Sequence, residues 1–395
     1  MPLAGGFLKN NSTANDFANE HRYPLPIMFC ANCFLLQVVD IVGGETLFKD
    51  YFYFSSAIGT LVDHFREYAQ DLANLYPDTK KVLAVEIGCN DGVFLKPLQA
   101  QGFKVLGVDP ATNVVVPLIK KGMPIMNDFF TEKTALAIVK EHGKAELILS
   151  SNSFAHIDNM HDVMRGVDAL LSETGFLAFE VHYLGTLIKE IQYDMMYHEH
   201  QSYYSLLTLQ KFLSLFDMEV FDVKAIPMHA GSMRYYVQRH KTGGRSISKT
   251  VRSLIKEEKQ MGLDSVESFH NFQKYIIKTK TDLLTLLKKL KKQGKTIVGY
   301  GASGRATAVS TFCDLTNEYL DYVIDDAPAK QGSFTPGNHL KIVNSSILDD
   351  PKKRPDYCLL FAWSFINEIK GKQQSYFASG GKFIVPLPAV KIIKV

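Results

Sequence analysis

Residues 193–204 concentrate groups that move protons: Tyr193, Tyr197, His198, Glu199, His200, Tyr203 and Tyr204. Imidazole titrates near neutral pH, and a carboxylate flanked by phenols can orient it, so one reading is general acid–base chemistry. A second is metal binding by His198 and His200, which share one side of an extended segment but lack the helical spacing of H-E-x-x-H. A third is a hydrogen-bonded polar loop. Tyr51 and Tyr53 stand in an aromatic-rich stretch that reads either as core or as a pocket wall with phenol handles. Cys30-x-x-Cys33 supplies two thiolates where structural zinc takes four ligands, so it is half a metal site or a pair of free thiols. His21 and His64 are the candidates to complete it.

These groups need a frame. Val82 to Ile87 is an apolar run of parallel-strand character that enters the turn Gly88-Cys89-Asn90-Asp91-Gly92. A helix is expected from near Val93 to Gly102, then a strand, Lys104 to Val108, ending in Asp109 and Pro110. This βαβ unit lacks G-x-G-x-x-G. Its pattern, Glu86-x-Gly88-x-Asn90-Asp91-Gly92, resembles the cofactor loop of class I S-adenosylmethionine methyltransferases. That cofactor has no phosphate; it carries a sulfonium, a ribose diol and an amino-acid end. Gly88 lets the backbone approach the amino-acid end, Glu86 and Asp91 stand where carboxylates can receive the ammonium, and Asp109 can accept from both ribose hydroxyls. Asp128 and Phe129, and Asn152, follow later strands at the carboxyl edge where open parallel sheets bind ligands, with Asp128 and Phe129 placed for the adenine. His156 follows the same strand as Asn152. Phe176 to Val181 is the fifth strand of this sheet.

Residues 241–294 are Lys-rich with Leu at helical spacing and read as a solvated amphipathic helix pair. A second α/β region begins at Lys295. Gly299-x-Gly301-x-x-Gly304 formally matches the dinucleotide fingerprint, and a strand ending at Asp325 follows about twenty residues on.

The 395 residues are enough for two or three domains, and 46% hydrophobic content is ordinary for a globular chain. A net charge of +3 makes no bulk case for nucleic acid or membrane. Five cysteines without framework spacing fit a reducing cytoplasm, and no run reaches transmembrane length.

Taken together, the segments resemble the sugar C-methyltransferases of deoxysugar biosynthesis. The matching residues are Pro2-Leu3-Ala4 through Leu8, Cys30-x-x-Cys33, Tyr51-x-Tyr53-x-Ser55-Ser56, the Glu86–Gly92 turn, Tyr197-His198-Glu199-His200, His229-x-Gly231-Ser232-x-Arg234, Gly299-Tyr300-Gly301-Ala302, Asp325-Asp326-x-Pro328-x-Lys330-Gln331-Gly332 and Thr335-Pro336-Gly337. The resemblance implies methylation at C3 of a nucleotide-linked 4-keto-6-deoxyhexose, with Tyr51, His156, Tyr197, Glu199 and His200 in the active site. It makes Glu86, Gly88, Asn90, Asp91, Gly92, Asp109, Pro110, Asp128, Phe129 and Asn152 the cofactor set. Tyr53, Ser55, His229, Arg234, Tyr300, Arg305, Asp325 and Lys330 become the substrate set; the carboxyl-terminal domain would grip the nucleotide diphosphate, with charge from Arg305 and Lys330 and with Asp325 or Asp326 on hydroxyls or a base edge, and no nicotinamide cofactor. The expected architecture is α/β. Residues 1–58 form an incomplete zinc-ribbon-like piece, 59–240 a Rossmann-like methyltransferase domain, 241–294 a helical linker, and 295–395 a second Rossmann-like domain. Members of the family usually carry a further Cys-x-x-Cys before Pro-Leu-Ala, so the chain is truncated there or has lost the metal, and no stable zinc is expected. The family often has Ala-Lys-Gly where Gly304-Arg305-Ala306 stands. The rival functions are O- or N-methylation of a small molecule and a non-catalytic nucleotide-sugar binder.

Overall fold

In a computed structural model, residues 1–51 and 53–394 are described. Three sheets organise them. The smallest joins β1 (Ile27–Phe29), β2 (Leu36–Val38) and β8 (Ser202–Tyr203), all antiparallel. The knuckle Cys30 to Phe34 is the tip of its hairpin. The position of β8 has a functional consequence: one residue after His200, the chain is stitched to the amino-terminal hairpin through Val38 N–H to Gln201 O, 2.8 Å.

The central sheet runs β5 (Ile125–Met126), β4 (Lys104–Val108), β3 (Leu83–Ile87), β6 (Ala145–Ser151), β7 (Leu171–His182), β10 (Ser232–Arg239), β9 (Met218–Ile226). The first five are parallel, and β10 is antiparallel to both its neighbours. All five residues of β3 are buried, as a strand covered on both faces must be. On one face the helix Gly59–Ala73 packs Leu61, Phe65, Tyr68, Ala69 and Leu72, a stripe at helical spacing. The helix expected from Val93 is shorter, Leu95–Ala100, and Gly102 at φ +90 turns the chain behind it.

Two helices follow the sheet, Lys249–Gln260 and the 27-residue Val266–Lys292. Leu283, Leu287 and Leu290 of the second bury against the third sheet, so that pair is less solvated than its lysines imply. This sheet runs β13 (Ile342–Val343), β12 (Val323–Ile324), β11 (Ile297–Tyr300), β14 (Tyr357–Leu360), β15 (Lys382–Val385), β16 (Lys391–Ile393), parallel except for the last strand. The amino-terminal segment lies on this third unit. Leu8 and Phe334 exchange backbone hydrogen bonds, and Glu20 accepts from Gly337 N–H at 3.0 Å. Residues 1–58 thus serve three neighbours: the third sheet, β8, and the turn after β3. No helix among the described residues is long and apolar enough to cross a membrane.

Candidate active site

The turn after β3 is built by left-handed backbone. Gly88, Asn90 and Gly92 have φ of +75, +46 and +71. A side chain at Gly88 would also collide with Ser153, so glycine is required twice over. The acid at the end of β4 closes the turn. Asp109 Oδ2 accepts from Asn90 N–H and Oδ1 from Ala111 N–H, each at 2.8 Å. Burial raises the Asp109 pKa, and the two backbone donors only partly offset it. Glu86 lies fully enclosed beneath, its carboxyl pushed well up by burial and then by Asp109 and Asp91.

Asn90 and Asp91 dock a second segment over this turn. Asn90 Oδ1 accepts from Ser55 N–H at 3.0 Å and its Nδ2 donates to Tyr53 O at 3.1 Å, while Asp91 Oδ2 accepts from the Ser56 N–H and hydroxyl. Their side chains therefore serve the loop rather than only a ligand. Ser55, expected on the substrate, meets the cofactor turn. Glu86 Oε2 and Asp91 Oδ1 remain buried without a partner. Two orphaned carboxylate oxygens around a glycine-lined turn fit the cationic amino-acid end of S-adenosylmethionine, and each Asp109 oxygen keeps a lone pair for a ribose hydroxyl. Asn127 Nδ2 donates to Asp109 O at 3.0 Å, Asp128 is exposed with Oδ1 on Phe129 N–H, and Asn152, at φ +59, donates its N–H to Glu180 O at 2.8 Å.

Beside this turn lies the proton-handling cluster. Tyr51 donates its hydroxyl to Glu199 Oε2 at 3.2 Å. His200 Nδ1 is 2.7 Å from Met195 O. A carbonyl can only accept, so Nδ1 carries the proton and Nε2 is the basic nitrogen, 3.1 Å from the Tyr197 hydroxyl. The His156 ring lies 5.2 Å from the His200 ring and stacks on Phe48 at 5.4 Å. Burial drives His156 well below its usual pKa, and drives His200 and His229 down to about 4. Burial pushes Glu199 the other way, up to about 7. The usual order of a carboxylate and an imidazole is thereby inverted.

His198 does not share a side with His200. Its Nε2 donates to Pro24 O at 3.0 Å, so it anchors the amino-terminal segment and the two-histidine metal reading fails. His64 holds both Glu180 oxygens, at 2.9 and 3.0 Å, rather than approaching the cysteines. Among the described residues no group of three metal-ligating side chains forms, and Cys30 and Cys33 do not fit a closed zinc site. His21 rests edge-on against Tyr23.

Several residues expected on the substrate are engaged elsewhere. Arg234 is 1% exposed, with Nε 2.7 Å from Glu180 and its guanidinium over the Tyr68 ring, so it neutralises a core carboxylate. Tyr300 is buried, its hydroxyl shared with Gln373 and Asp326. Asp325 accepts from Ala302 and Ala327 N–H, and Lys330 lies 3.3 Å away on Oδ2 while donating to Ala302 O. Arg305 pairs with Asp194, not with open solvent. His229 is brought to the cluster on a strained turn, with His229 and Ala230 both left-handed at φ 52 and 66. Gln192 holds that turn by donating to Ala230 O at 2.9 Å and accepting from His182 at 2.7 Å. Asp194, Gln192 and Gln201 were not foreseen, their only local signal being nearness to the Tyr-His-Glu-His run, and His182, at the end of β7, carried no such signal.

A family described as "Methyltransferase domain" matches residues 62–223, and one described as "C-methyltransferase C-terminal domain" matches residues 227–388. The chain is 30% identical over 392 residues to C-methyltransferase NovU of Streptomyces niveus, covering 99% of this chain and 92% of that protein. It is 28% identical over 113 residues to the ubiquinone biosynthesis O-methyltransferase of Bartonella tribocorum, covering 28% of this chain and 45% of that one. The magnesium protoporphyrin IX methyltransferase of Synechocystis PCC 6803, solved with bound SAM, overlaps 46% of this chain and 78% of its own at 16% identity and a TM-score of 0.33, a likeness that carries no argument. The fold is that of a class I methyltransferase, whose cofactor is S-adenosylmethionine, joined to a second α/β domain.

Proposed function

Because this chain belongs to the C-methyltransferase family, we propose that it methylates C3 of a nucleotide-linked 4-keto-6-deoxy sugar, with His200 as the base. The single observation that carries the reading is the fixed tautomer of His200, whose basic Nε2 faces a phenol beside the cofactor turn. A ring carbon becomes nucleophilic only after it loses a proton, and a neighbouring ketone makes that loss feasible by spreading charge onto oxygen. The bound cofactor supplies the electrophilic methyl group. Everything else falls to the chain. His200 Nε2 takes the C3 proton, and Glu199 and Tyr197 orient the sugar and the imidazole. Tyr51 or His156 donates toward O4 where negative charge develops. His156 is held neutral by burial, so it can donate from one nitrogen without repelling the sulfonium. Membership of this family favours carbon over oxygen or nitrogen as the acceptor, and an organised proton-transfer cluster argues against a binder without catalysis. The partner is a small molecule.

A second reading makes Glu199 the base, and one observation favours it: its pKa of about 7 matches neutral pH better than that of His200, about 4. The two separate in one experiment. The enzyme is incubated with a panel of nucleotide-linked 4-keto sugars in deuterated water without methyl donor, and exchange at C3 is followed by mass spectrometry. His200→Ala should abolish exchange while leaving S-adenosylhomocysteine affinity intact. Exchange that survives in His200→Ala and disappears in Glu199→Gln transfers the role to Glu199, and no turnover of any 4-keto sugar sinks the substrate class.

A further inference from the structure

The partners of His200 raise a question about what holds them. Its Nδ1 depends on Met195 O, and Met195 ends the short turn Tyr193–Met195. The residue before it, Asp194, is 0% exposed. A carboxylate so deeply buried needs donors, and all of those found come from the third sheet's domain. Arg305 Nε donates to Asp194 Oδ2 at 2.7 Å, with Nη2 also 2.7 Å from that oxygen, and Trp363 Nε1 donates to it at 2.8 Å. Arg305 is itself fixed by Ser364 Oγ at 2.9 Å and by lying 4.7 Å over the Trp363 ring. Tyr193 reaches into the same domain, its hydroxyl 3.5 Å from Cys313 Sγ. The other imidazole nitrogen is backed from the same side. Gly304, first residue of the helix Gly304–Phe312, lies so close to Tyr197 that a Cβ there would be 3.0 Å from the ring.

We propose that Asp194, with Arg305 and Trp363, is a positioning device by which the carboxyl-terminal domain sets the geometry of His200 in the methyltransferase domain. The inference rests on His200 being the base, and it assigns Arg305 to the catalytic run rather than to a diphosphate. The reason is mechanical. Two hydrogen-bond donors, Arg305 Nε and Trp363 Nε1, with the guanidinium charge beside them, pin one carboxylate oxygen, which pins the turn, whose next carbonyl selects the imidazole tautomer. Loosening the pin lets Met195 O drift and Nδ1 lose its proton to Nε2, which removes the basic lone pair. The groups acting on His200 include Met195 O, Tyr197, His156, His182, His229 and Arg305, so a change at Arg305 or Asp194 also changes its field.

The test compares Asp194→Asn, Trp363→Phe, Arg305→Met and Arg305→Lys in the full-length enzyme. A misplacement of about 1 Å at a reacting group costs roughly 10²-fold. Asp194→Asn and Arg305→Met should therefore lower kcat by up to that factor, Trp363→Phe by less, and Arg305→Lys should recover part of the loss. The KM for the nucleotide sugar and the affinity for S-adenosylhomocysteine should stay within about twofold, as befits a device that touches neither ligand. Imidazole-nitrogen NMR should find the Nδ1-protonated form of His200 in the wild type and a mixture in Trp363→Phe. That readout survives if Asp194→Asn fails to fold, since Trp363→Phe keeps an aromatic face under Arg305 while removing the N–H donor and part of the indole volume. If Arg305→Met raises KM with kcat unchanged while Trp363→Phe is silent in both kinetics and NMR, Arg305 is a phosphate ligand and the inference is overturned. His200→Ala separates the two levels: exchange that persists there removes both readings, whereas exchange lost there but untouched in the Asp194 and Trp363 variants removes this one alone.

Discussion

The molecule closes two glycine-bearing turns in the same way. After β3 and again after β11, a glycine-bearing turn is closed by an aspartate from the neighbouring strand. Asp109 accepts backbone N–H groups from Asn90 and Ala111; Asp325 accepts them from Ala302 and Ala327, all at 2.8–2.9 Å. Beyond that, the two diverge. In the first turn Asp109 stands over Glu86 and Asp91, and two carboxylate oxygens have no partner. In the second, Lys330 sits on Asp325 and caps the turn's own carbonyl. One turn concentrates unneutralised acid, which a cationic cofactor with a ribose diol would complete. The other balances its acid internally and needs no ligand to be satisfied. A matching backbone motif therefore does not imply a matching ligand; the charge left over after internal pairing decides.

Substitution and titration put that contrast to the test. The largest effect is expected at the proposed base, where His200→Ala should lower kcat about 10²–10⁴-fold with the cofactor site intact. Next comes the contrast itself. Asp109→Asn should weaken S-adenosylhomocysteine binding by roughly 10- to 100-fold, the size of one or two charge-assisted hydrogen bonds. Asp325→Asn should leave that affinity unchanged and lower thermal stability instead. Equal effects of both substitutions in a calorimetric titration would erase the distinction between the turns. The same titration with NAD should give no heat, since Asp325 is already held by Lys330; tight NAD binding would restore the dinucleotide reading. Lys330→Met should cost about 1 kcal/mol of stability, because the pair is partly exposed, measured as the shift of the denaturation midpoint.

The smallest effect concerns pH. Glu258, on the helix Lys249–Gln260, accepts from Leu206 and Leu207 N–H and from the Tyr183 hydroxyl, yet burial raises it to about 7. Its folded pKa lies above the ordinary carboxylate value, so its contribution is full below about 4.5 and is lost as pH rises through 7. Histidines act in the opposite sense. Burial lowers His182 to about 3 and His229 to about 4, so their contribution is full above about 6.5 and is lost on acidification through those values. Thermal unfolding of Glu258→Gln should lose less stability between pH 5 and 8 than the wild type. A steeper loss in the variant would reverse the assignment.

Local grammar determined a good deal. Apolar runs of strand length, glycines where φ turns positive and acids at strand ends were enough to place both βαβ openings, the turn Glu86–Gly92 and its acid Asp109, because those features act over a few residues. Tyr197, Glu199 and His200 stand together in the chain, but that Tyr51 joins them was suggested by resemblance and that His156 reaches the cleft by its place after a strand; tertiary structure brought all five into one cluster. Sequence had no means of telling which charges remain available. Arg234 and Arg305 read as ligands for a substrate, but Glu180 and Asp194, 54 and 111 residues away, neutralise them. His198 and His200 look equivalent two residues apart, yet one faces Pro24 and the other faces Met195 and Tyr197. The physical reason is that backbone conformation is set by near neighbours, whereas the pairing of a buried charge and the tautomer of a histidine are set by whatever the fold packs against them.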